Sequence, residues 1–441
     1  MTMQPGSDLK IAYYGDDFTG ATDTLATAAR AGLRSLLFLG LPTPAQLERA
    51  GPLDCLGIAG AARAMTPDEM QAELAPVGQF FAALGARVIH YKTCSTFDSA
   101  PHIGSIGAAI RILRTHAGSP LVAIVGGQPN LRRYCVFGNL FAAAGGAICR
   151  IDRHPTMRQH PVTPMHEADL RLHLAQQGLA DVRSIAYTDI DQGGDALDSQ
   201  LDALLRQRPD AVLFDIAHMA HLAPVGRLIW QQAQGQCLLA AGPSSVVQAL
   251  AAHWATAAMR AEATIAPAQE PVLVLAGSLS PMTARQVQAA MSYEHLLLDA
   301  ARLPQDTAYR DQMARQIAKR LGEGTHVLAC TAPASGAAAV TGSAADGRSL
   351  ALACGDLLAK VLRLRPLKRL GIAGGDTSSH AVQALDAWGL SYQAQLAPGV
   401  ALCRLHSDDP ALEGLEIMLK GGQMGTEHLF EELLRGSVTL A

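Results

Sequence analysis

The sequence predicts an α/β protein of two domains, each a mainly parallel sheet flanked by helices. Short apolar runs that are typical of buried strands alternate with helical patterns along most of the chain. This alternation favours parallel sheets with helices on both faces. The chain has 441 residues, which exceeds the length at which a single hydrophobic core stops growing. We therefore expect two domains.

The first domain is expected at residues 8–254. Helical patterns occur at 67–84 and 106–115, and strand-like runs at 9–14, 35–39, 55–59, 88–92, 121–125, 184–187 and 211–215. Residues 255–270 contain Ala, Thr and Pro without a regular period. Such a stretch is typical of a linker between domains.

The second domain is expected at residues 270–436 and begins with a strongly apolar strand at 271–276. Further strand-like runs are 327–331 and 369–373. Helical patterns lie at 283–291, 310–321, 350–362, 381–388 and 427–434. The alternation again indicates a mainly parallel sheet.

Composition excludes several classes of protein. Hydrophobic residues make up 49% and charged residues 17% of the chain, and the net charge is −4. This balance offers no attraction to nucleic acid or to an anionic membrane. No apolar run approaches the ~18 residues of a membrane span, and residues 1–10 lack the features of a signal peptide. The eight cysteines include no Cys-x-x-Cys pair, so we expect buried thiols in a cytoplasmic protein.

Two adjacent acids, Asp16 and Asp17, follow the first strand and precede an Ala-rich helix at 21–31. Ligands bind at this end of the strands in open α/β sheets. Adjacent carboxylates are costly there unless they meet a cation, a hydroxyl or a proton in transit. An equally weighted alternative is that one carboxylate caps the helix and the other is solvated.

A second polar cluster follows the strand at 88–92. It contains a cation, hydroxyl groups and a carboxylate within one turn: Lys92, Ser95, Thr96, Asp98 and Ser99. Serine and threonine can bind the hydroxyl groups of a small polyhydroxy acid, and lysine can neutralise its carboxylate. The alternative is that the hydroxyl groups cap the next helix and the lysine is solvated. The position at a strand end favours binding.

Arg132 and Arg133 follow another strand, and arginine binds carboxylates bidentately, although surface arginines are commoner than such clamps. Residues 150–166 contain three histidines and three prolines. Because no histidine pair has i, i+4 spacing on a clear helix, and prolines favour an ordered loop, we prefer a loop that covers the substrate to a metal centre. The metal ligands stay unassigned.

Three glycine-rich turns follow strands of the second domain, at 277–283, 374–380 and 420–426. Glycines let the backbone approach a phosphate, and the free N–H groups at a helix start point towards it. One such turn is weak evidence, but three in one domain favour a phosphorylated ligand. None fits the P-loop or the dinucleotide pattern Gly-x-Gly-x-x-Gly.

With these motifs the chain resembles the four-carbon acid sugar kinase family, whose members phosphorylate small sugar acids with ATP. The resemblance covers nearly the whole chain and is closest to the 3-oxo-tetronate kinase branch. It rests on DDFTGATD at 16–23, KTCSTFDS at 92–99, GSIG at 104–107, HPVTPM at 160–165, GSLSPMT at 277–283, GGDTSS at 374–379, APGV at 397–400 and KGGQMG at 420–425.

The resemblance implies that the first domain binds the sugar acid, that the second binds ATP with Mg²⁺, and that the active site lies in the cleft between them. The implied substrate residues are Asp16, Asp17, Lys92, Ser95, Thr96, Asp98, Arg133 and His160. The implied nucleotide residues are Ser278, Gly374, Gly375, Asp376, Thr377 and Gly422.

The chain departs from the family pattern at several positions. Tyr14-Gly15 stands where Ile-Ala is frequent, Asp376 where glutamate is common, and Gly421 where serine is usual. The last two changes preserve charge or backbone access. Residues 132–159 resemble an insertion, which suits a bulkier branched acid such as 3-oxo-isoapionate.

The expected activity is phosphorylation of the terminal hydroxyl of a 3-oxo-tetronate-like acid. Asp17 is the first candidate for the base that accepts the hydroxyl proton and Asp98 the second, while Lys92 and Arg133 hold the carboxylate. Alternatives are the branched acid, threonate or erythronate. A regulator that binds acid and nucleotide without chemistry and a nicotinamide-dependent enzyme are rivals from other classes. The oligomeric state is open, and base rates alone favour a homodimer.

Overall fold

The computed structural model describes residues 9–254, 264–277, 280–332 and 344–436. Contacts divide the chain into two compact units. Unit 1 contains the chain up to Asp16, then Thr27–Ser35 and the chain from Glu48 to the end of the first half. Unit 2 contains Asp17–Ala26, Leu36–Leu47 and the described chain from residue 264 onwards. The expected bounds of 8–254 and 270–436 stay a prediction.

Strands alternate with helices in chain order. The strands of the first half are β1 (Ile11–Gly15), β2 (Ser35–Phe38), β3 (Cys55–Ala59), β4 (Val88–Lys92), β5 (Val122–Gln128), β6 (Arg133–Val136), β7 (Asn139–Ala144), β8 (Ala147–Arg150), β9 (Val182–Ile185), β10 (Ala211–Asp215) and β11 (Leu238–Gly242). Those of the second half are β12 (Leu273–Ala276), β13 (Glu294–Leu297), β14 (Val327–Cys330), β15 (Arg369–Ala373), β16 (Gly389–Ala397), β17 (Val400–His406) and β18 (Glu416–Lys420).

The helices of the first half are α1 (Phe18–Arg30), α2 (Pro44–Ala50), α3 (Pro67–Ala83), α4 (Ile106–Arg114), α5 (Leu170–Ala175), α6 (Tyr187–Gln192), α7 (Gly194–Arg206), α8 (Leu222–Gln232) and α9 (Ser245–Trp254). Those of the second half are α10 (Pro281–Ala289), α11 (Arg302–Gln305), α12 (Thr307–Gly322), α13 (Ala344–Leu364), α14 (Gly375–Gln383) and α15 (Leu429–Arg435). Among the described helices, none combines the length and the apolar character that crossing a membrane requires.

The sheet of unit 1 is parallel, with the strand order β3-β1-β4-β11-β5-β10-β9. Every residue of β1, β3, β4 and β5 is buried, as expected for strands covered on both faces. The strand order runs in opposite directions from the adjacent strands β1 and β4: β3 lies beyond β1, whereas β11 and β5 lie beyond β4. This reversal between β1 and β4 marks the usual ligand-binding position of an open α/β sheet.

The insertion-like segment continues this sheet as an antiparallel extension. The end of β5 pairs with β6, and β6, β7 and β8 follow one another as antiparallel neighbours. The sequence did not predict these strands, because their burial alternates irregularly and their exposed residues weaken the apolar pattern.

The sheet of unit 2 has the order β13-β14-β12-β15-β18 in parallel, followed by antiparallel β17 and β16. Its core is an apolar cluster that includes Val274, Leu328, Met418, Leu429 and Phe430. A mainly parallel two-domain α/β architecture is therefore confirmed.

The run 35–39 forms the predicted strand, β2, whose end pairs antiparallel with β16 of unit 2, where the ring centres of Phe38 and Trp388 lie 6.0 Å apart. Two other details of the sequence prediction were wrong. The helix predicted at 381–388 is α14, which begins at Gly375. Gly374 has φ 129° and its carbonyl accepts the Ser378 N–H at 2.8 Å, so the helix starts directly after the strand. The strand predicted at 184–187 ends at Ile185.

Candidate active site

Asp16 ends β1 as one partner of an ion pair. It is 4% exposed, and its carboxylate oxygen Oδ1 lies 2.7 Å from Nη2 of Arg63, which follows β3. The backbone reinforces this contact, because the Arg63 N–H donates to the Asp16 carbonyl at 3.1 Å. Asp16 is therefore neither solvated nor the helix cap that the sequence alternative allowed. The sequence analysis missed Arg63, which no motif marks.

Asp17 caps α1. Its Oδ1 accepts the N–H of Gly20 at 2.8 Å, its Oδ2 accepts the hydroxyl of Thr19 at 2.8 Å, and its carbonyl accepts the N–H of Ala21 at 3.0 Å. These contacts fit the capping alternative for one of the two acids. Each carboxylate oxygen can accept more than one hydrogen bond, so capping α1 does not by itself exclude a further contact of Asp17.

The capped start of α1 lies beside a glycine-rich turn within unit 2. A methyl group built on Gly421 would lie 3.8 Å from Oγ1 of Thr19, which is ordinary van der Waals distance. Asp17 and Thr19 both belong to unit 2, as does the turn at 420–426. The first acidic motif and one of the turns expected to bind phosphate are therefore neighbours.

The cluster after β4 is buried and internally hydrogen-bonded. Lys92 is 3% exposed, and its Nζ donates to the Thr93 carbonyl at 2.8 Å. The Thr96 hydroxyl, which also lies 2.9 Å from Cys94 Sγ, donates to the carboxylate of Asp98. Ser95, Thr96 and Asp98 are all buried as well. The predicted hydroxyl groups, cation and carboxylate do come together in one turn.

This turn contains a backbone conformation that glycine would normally supply. Phe97 has φ 54°, which costs a bulky residue about 1–3 kcal/mol unless the surroundings hold it. Its carbonyl accepts the Ser99 hydroxyl at 2.9 Å and lies 3.2 Å from His173 Nε2. Gln177 Nε2 donates to Ser99 Oγ at 2.8 Å. Burial lowers the pKa of His173, which favours its neutral form in this supporting network.

Strands β1, β4 and β11 bring their carboxyl ends together. The Asp16 N–H donates to the Lys92 carbonyl at 3.0 Å, and Lys92 is the register partner of Gly242 in β11. The Thr93 N–H and Nε2 of His90 both contact the Gly242 carbonyl at 2.9 Å. Asp16 and Lys92 therefore lie at the position where strand order reverses.

The start of α9 adds two serines that the sequence analysis missed. Ser244 and Ser245 follow Gly242 and are fully buried. Within the described chain, the Ser245 hydroxyl has no hydrogen-bond partner. A Gly-Pro-Ser-Ser turn after an apolar run at 238–241 is the signal that would have identified this strand end.

Two other predicted substrate residues lie in the extension and the histidine-containing loop. The Arg133 guanidinium on β6 donates to the Leu131 carbonyl. Nδ1 of His160 accepts the Thr163 N–H at 3.0 Å, which places the proton of the neutral ring on Nε2. Within the described chain, the His160 ring hydrogen-bonds to Thr163 and not to Asp16 or Lys92.

The histidine-containing loop is ordered by its own hydrogen bonds. Nδ1 of His154 accepts the Thr156 N–H at 3.2 Å, and Nε2 contacts the Ala143 carbonyl at 3.1 Å. The suitable metal ligands in the described chain lie elsewhere, at Asp191, His218 and His221, within 4.8 Å of one another. However, His221 Nδ1 accepts the Ala217 N–H at 3.1 Å. Its Nε2 therefore holds the proton and donates to Asp191 at 3.0 Å, an arrangement that opposes metal ligation.

In unit 2, two glycine turns pack tightly against each other. A Cβ atom at Gly277 would lie 2.2 Å from Thr377 Oγ1, so no side chain fits there without displacement. Thr377 is buried in the first turn of α14, and the Gly374 N–H donates to the Lys420 carbonyl at 2.9 Å. Gly375 begins the helix. Ser278 lies outside the described residues, and so does the side chain of Asp376.

The third turn is joined to the first by hydrogen bonds. The Gly422 carbonyl accepts the hydroxyl of Ser280, the hydroxyl of Thr283 at 3.1 Å and Nζ of Lys420 at 3.2 Å. Ser280 is also the N-cap of α10 and accepts the Thr283 N–H at 3.1 Å. The three glycine turns therefore form one connected structure in unit 2.

Comparison with known proteins agrees with the sugar-acid and nucleotide domains that the sequence motifs imply. A model described as a sugar-binding N-terminal domain matches residues 11–250, and one described as a nucleotide-binding C-terminal domain matches residues 273–430. A Salmonella typhimurium LT2 structure covers 97% of this chain and 99% of its own, with a TM-score of 0.80 at 24% identity. That likeness supports the fold alone.

Two enzymes are similar over nearly the full length. The 3-oxo-isoapionate kinase of Paraburkholderia graminis is 39% identical over 447 residues, covering 97% of this chain and 94% of the relative. The 3-oxo-tetronate kinase of Brucella melitensis is 30% identical over 434 residues, covering 96% and 95%. These matches confirm the resemblance drawn from the motifs: the chain belongs to the four-carbon acid sugar kinase family and is a carbohydrate-acid kinase.

Proposed function

We propose that this kinase transfers the terminal phosphoryl group of ATP to the terminal hydroxyl of a small 3-oxo sugar acid. The observation that carries the proposal is the position of the Asp17 cap. It holds a buried carboxylate at the start of α1, beside the Gly421 turn that is tied to the other two glycine turns. Phosphoryl transfer requires this combination of a proton acceptor and an anion-binding backbone.

The acid is bound by the cluster at the ends of β1, β4 and β11. Lys92 is buried, and no carboxylate within the described chain pairs with its Nζ. A buried ammonium without an anionic partner favours binding of an anion. The unpartnered Ser245 hydroxyl, at the start of α9, adds a donor for the carboxylate or for a substrate hydroxyl. Arg133 and His160 are proposed as further contacts.

Asp17 accepts the proton of the attacking hydroxyl in this proposal, and Asp98 is the second candidate. The Asp17 carboxylate accepts hydrogen bonds from the Thr19 hydroxyl and the Gly20 N–H, and a carboxylate offers about four lone-pair sites. Asp98 already accepts the Thr96 hydroxyl and sits in a turn held by Ser99. Asp16 maintains the turn through its ion pair with Arg63 and is proposed as a further contact of the substrate.

ATP binds to the glycine turns of unit 2, through Gly374, Gly375, Thr377 and Gly422 together with Ser278 and Asp376. The N–H groups in the first turn of α14 are suited to phosphate oxygens, while Gly374, whose own N–H donates to the Lys420 carbonyl, lets the backbone approach closely. Mg²⁺ accompanies ATP and neutralises charge on the terminal phosphates. Base rates favour a homodimer, which light scattering would establish.

Among 3-oxo acids, 3-oxo-isoapionate is our first candidate substrate. The relative named for it shares 39% identity with this chain, compared with 30% for the relative named for 3-oxo-tetronate. The extension β6–β8 supplies additional structure next to β5 that can accommodate a branched acid. The four-carbon acid 3-oxo-tetronate is the second candidate, supported by several relatives named for it.

The test is ADP release with ATP and Mg²⁺ across 3-oxo-isoapionate, 3-oxo-tetronate, and the D and L forms of threonate and erythronate. We expect one of the 3-oxo acids to give the highest kcat/KM, with 3-oxo-isoapionate ahead. A higher value for 3-oxo-tetronate would reverse the order of the two candidates. Binding of ADP with no turnover of any acid would favour the regulator hypothesis.

A further inference from the structure

Lys420 ends β18 in an enclosed polar site. The residue is fully buried, and its Nζ donates to Thr283 Oγ1 at 2.8 Å, to Gln286 Oε1 at 2.5 Å and to the Gly422 carbonyl at 3.2 Å. Nζ also lies 6.0 Å from the centre of the Phe430 ring. All three ammonium protons therefore have acceptors, and every acceptor is a neutral group.

A buried cation that lacks an anionic partner is unusual, because burial penalises the charged form. Within the described residues, no carboxylate lies within ion-pairing distance of the Lys420 Nζ. Arg369, at the opposite end of the neighbouring strand β15, has the usual anionic partner of a buried cation, since it pairs with Glu416 at 2.6 Å. Burial lowers the pKa of Lys420 to about 7, so its charge responds to any anion that binds nearby.

Lys420 and Gln286 also determine which way the backbone of the turn faces. The Gly422 carbonyl is drawn towards Lys420, while Gln286 Nε2 donates to the carbonyls of Met424 at 3.0 Å and Thr426 at 2.7 Å. The carbonyls of every second residue in the turn, at 422, 424 and 426, therefore point towards α10.

Because peptide groups are planar, the directions of these carbonyls also fix the directions of the N–H groups that follow them in the turn. In a trans peptide, the N–H of each residue points opposite to the carbonyl of the residue before it. The N–H groups of Gln423, Gly425 and Glu427 therefore face away from α10. None of the three donates a hydrogen bond to any described residue. Free backbone N–H groups on one face of a turn are donors that an anion can use.

We propose that Lys420, Thr283 and Gln286 position the 422–426 turn so that its free N–H groups bind the polyphosphate of the nucleotide, whose charge the Lys420 ammonium balances. This inference rests on the proposed use of ATP. It assigns Lys420 as a positioning residue, because its protons are occupied by Thr283, Gln286 and Gly422 and reach the phosphates through the turn.

The first experiment uses the wild-type protein and needs no sugar acid. Calorimetry of ADP binding in two buffers that differ in ionisation enthalpy measures proton uptake. Because bound phosphate favours the ammonium form, we expect proton uptake at about pH 8 and progressively less towards about pH 6. Uptake that is absent at about pH 8, or unchanged in Lys420→Met, would overturn the proposal.

The second experiment compares variants by ADP affinity. Lys420→Met and Gln286→Leu are each expected to raise the Kd for ADP by about tenfold or more, because the turn loses its orientation. Lys319→Met is the control, since the Lys319 side chain is 74% exposed on α12 of the same unit, and its Kd should match the wild type. Folded Lys420→Met and Gln286→Leu proteins with wild-type Kd would refute the assignment.

These outcomes are separable from the proposed reaction. ADP binding that depends on Lys420, together with no turnover of any acid, would leave this inference standing and contradict the proposed function. If Lys420→Met fails to fold, Gln286→Leu and the wild-type proton uptake still decide the matter.

Discussion

Replacing Gly277 by alanine tests whether the glycine turns must pack as closely as the structure shows. The new methyl group would lie 2.2 Å from Oγ1, 2.9 Å from Cγ2 and 3.1 Å from Cβ of Thr377. Rotating the threonine side chain moves Oγ1 and Cγ2 but leaves the Cβ contact in place. Thr377 is 5% exposed, so it has little room to move. The start of α14 must therefore shift away from Gly277.

The expected cost follows from overpacking. Extra methyl groups in well-packed sites usually destabilise a fold by about 1–3 kcal/mol, and contacts this short place Gly277→Ala in the upper part of that range. Because α14 carries Gly375 and Thr377, its displacement should also raise the Kd for ADP. Adding Thr377→Ala removes Oγ1 and Cγ2, so the double variant should recover most of the lost free energy of unfolding.

Urea unfolding of the variants, with and without ADP, measures both effects. Gly322→Ala is the matched control, because no atom lies within 4 Å of the position a Cβ would take at Gly322 in α12. That variant should be as stable as the wild type or slightly more stable, by under about 1 kcal/mol. A Gly277→Ala protein with wild-type stability and wild-type ADP affinity would refute the packing described for these turns.

Three further predictions concern unit 1. Arg63→Met leaves the buried Asp16 carboxylate without its 2.7 Å partner, so the free energy of unfolding should fall by about 1–3 kcal/mol, and an unchanged urea midpoint would contradict the pairing. Lys92→Met should raise KM for the acid about tenfold or more while Kd for ADP stays within about twofold; equal changes in both would contradict its assignment to the acid. Burial lowers the pKa of His90 to about 3, so the unfolded chain binds a proton that the fold does not, and stability should fall as pH falls from about 6.5 towards 3. In His90→Gln that acid-dependent loss should be smaller, and an identical pH profile would contradict a neutral buried imidazole.

Local patterns predicted most of the fold. Apolar runs such as 55–59 and 88–92 were recognisable because both faces of those strands are buried. The pairing of β2 with β16 was not recognisable from the sequence, since strand partners more than three hundred residues apart leave no local signal. The helix start at Gly375 was misplaced because Gly374 ends its strand and opens the helix in one step.

The residues of the candidate site were likewise predictable only in part. Asp17 and Lys92 stood out because polar residues after buried strands are conspicuous. Arg63, Ser245 and Lys420 did not, because their roles depend on neighbours that the fold supplies: a carboxylate at the end of β1, a turn after β11, and the polar face of α10. The Asp17 cap agrees with the capping alternative, and the catalytic role of Asp17 stays a prediction that the cap does not exclude.

The central claim is that Asp17 accepts the substrate proton during phosphoryl transfer, and Asp17→Asn tests it most directly. Asparagine is as good a helix cap as aspartate, so α1 and the Gly20 N–H contact should survive while the base is lost. ADP release with the preferred 3-oxo acid should fall by a factor of about 100 or more, with ADP affinity retained. Turnover at the wild-type rate in folded Asp17→Asn would contradict the account.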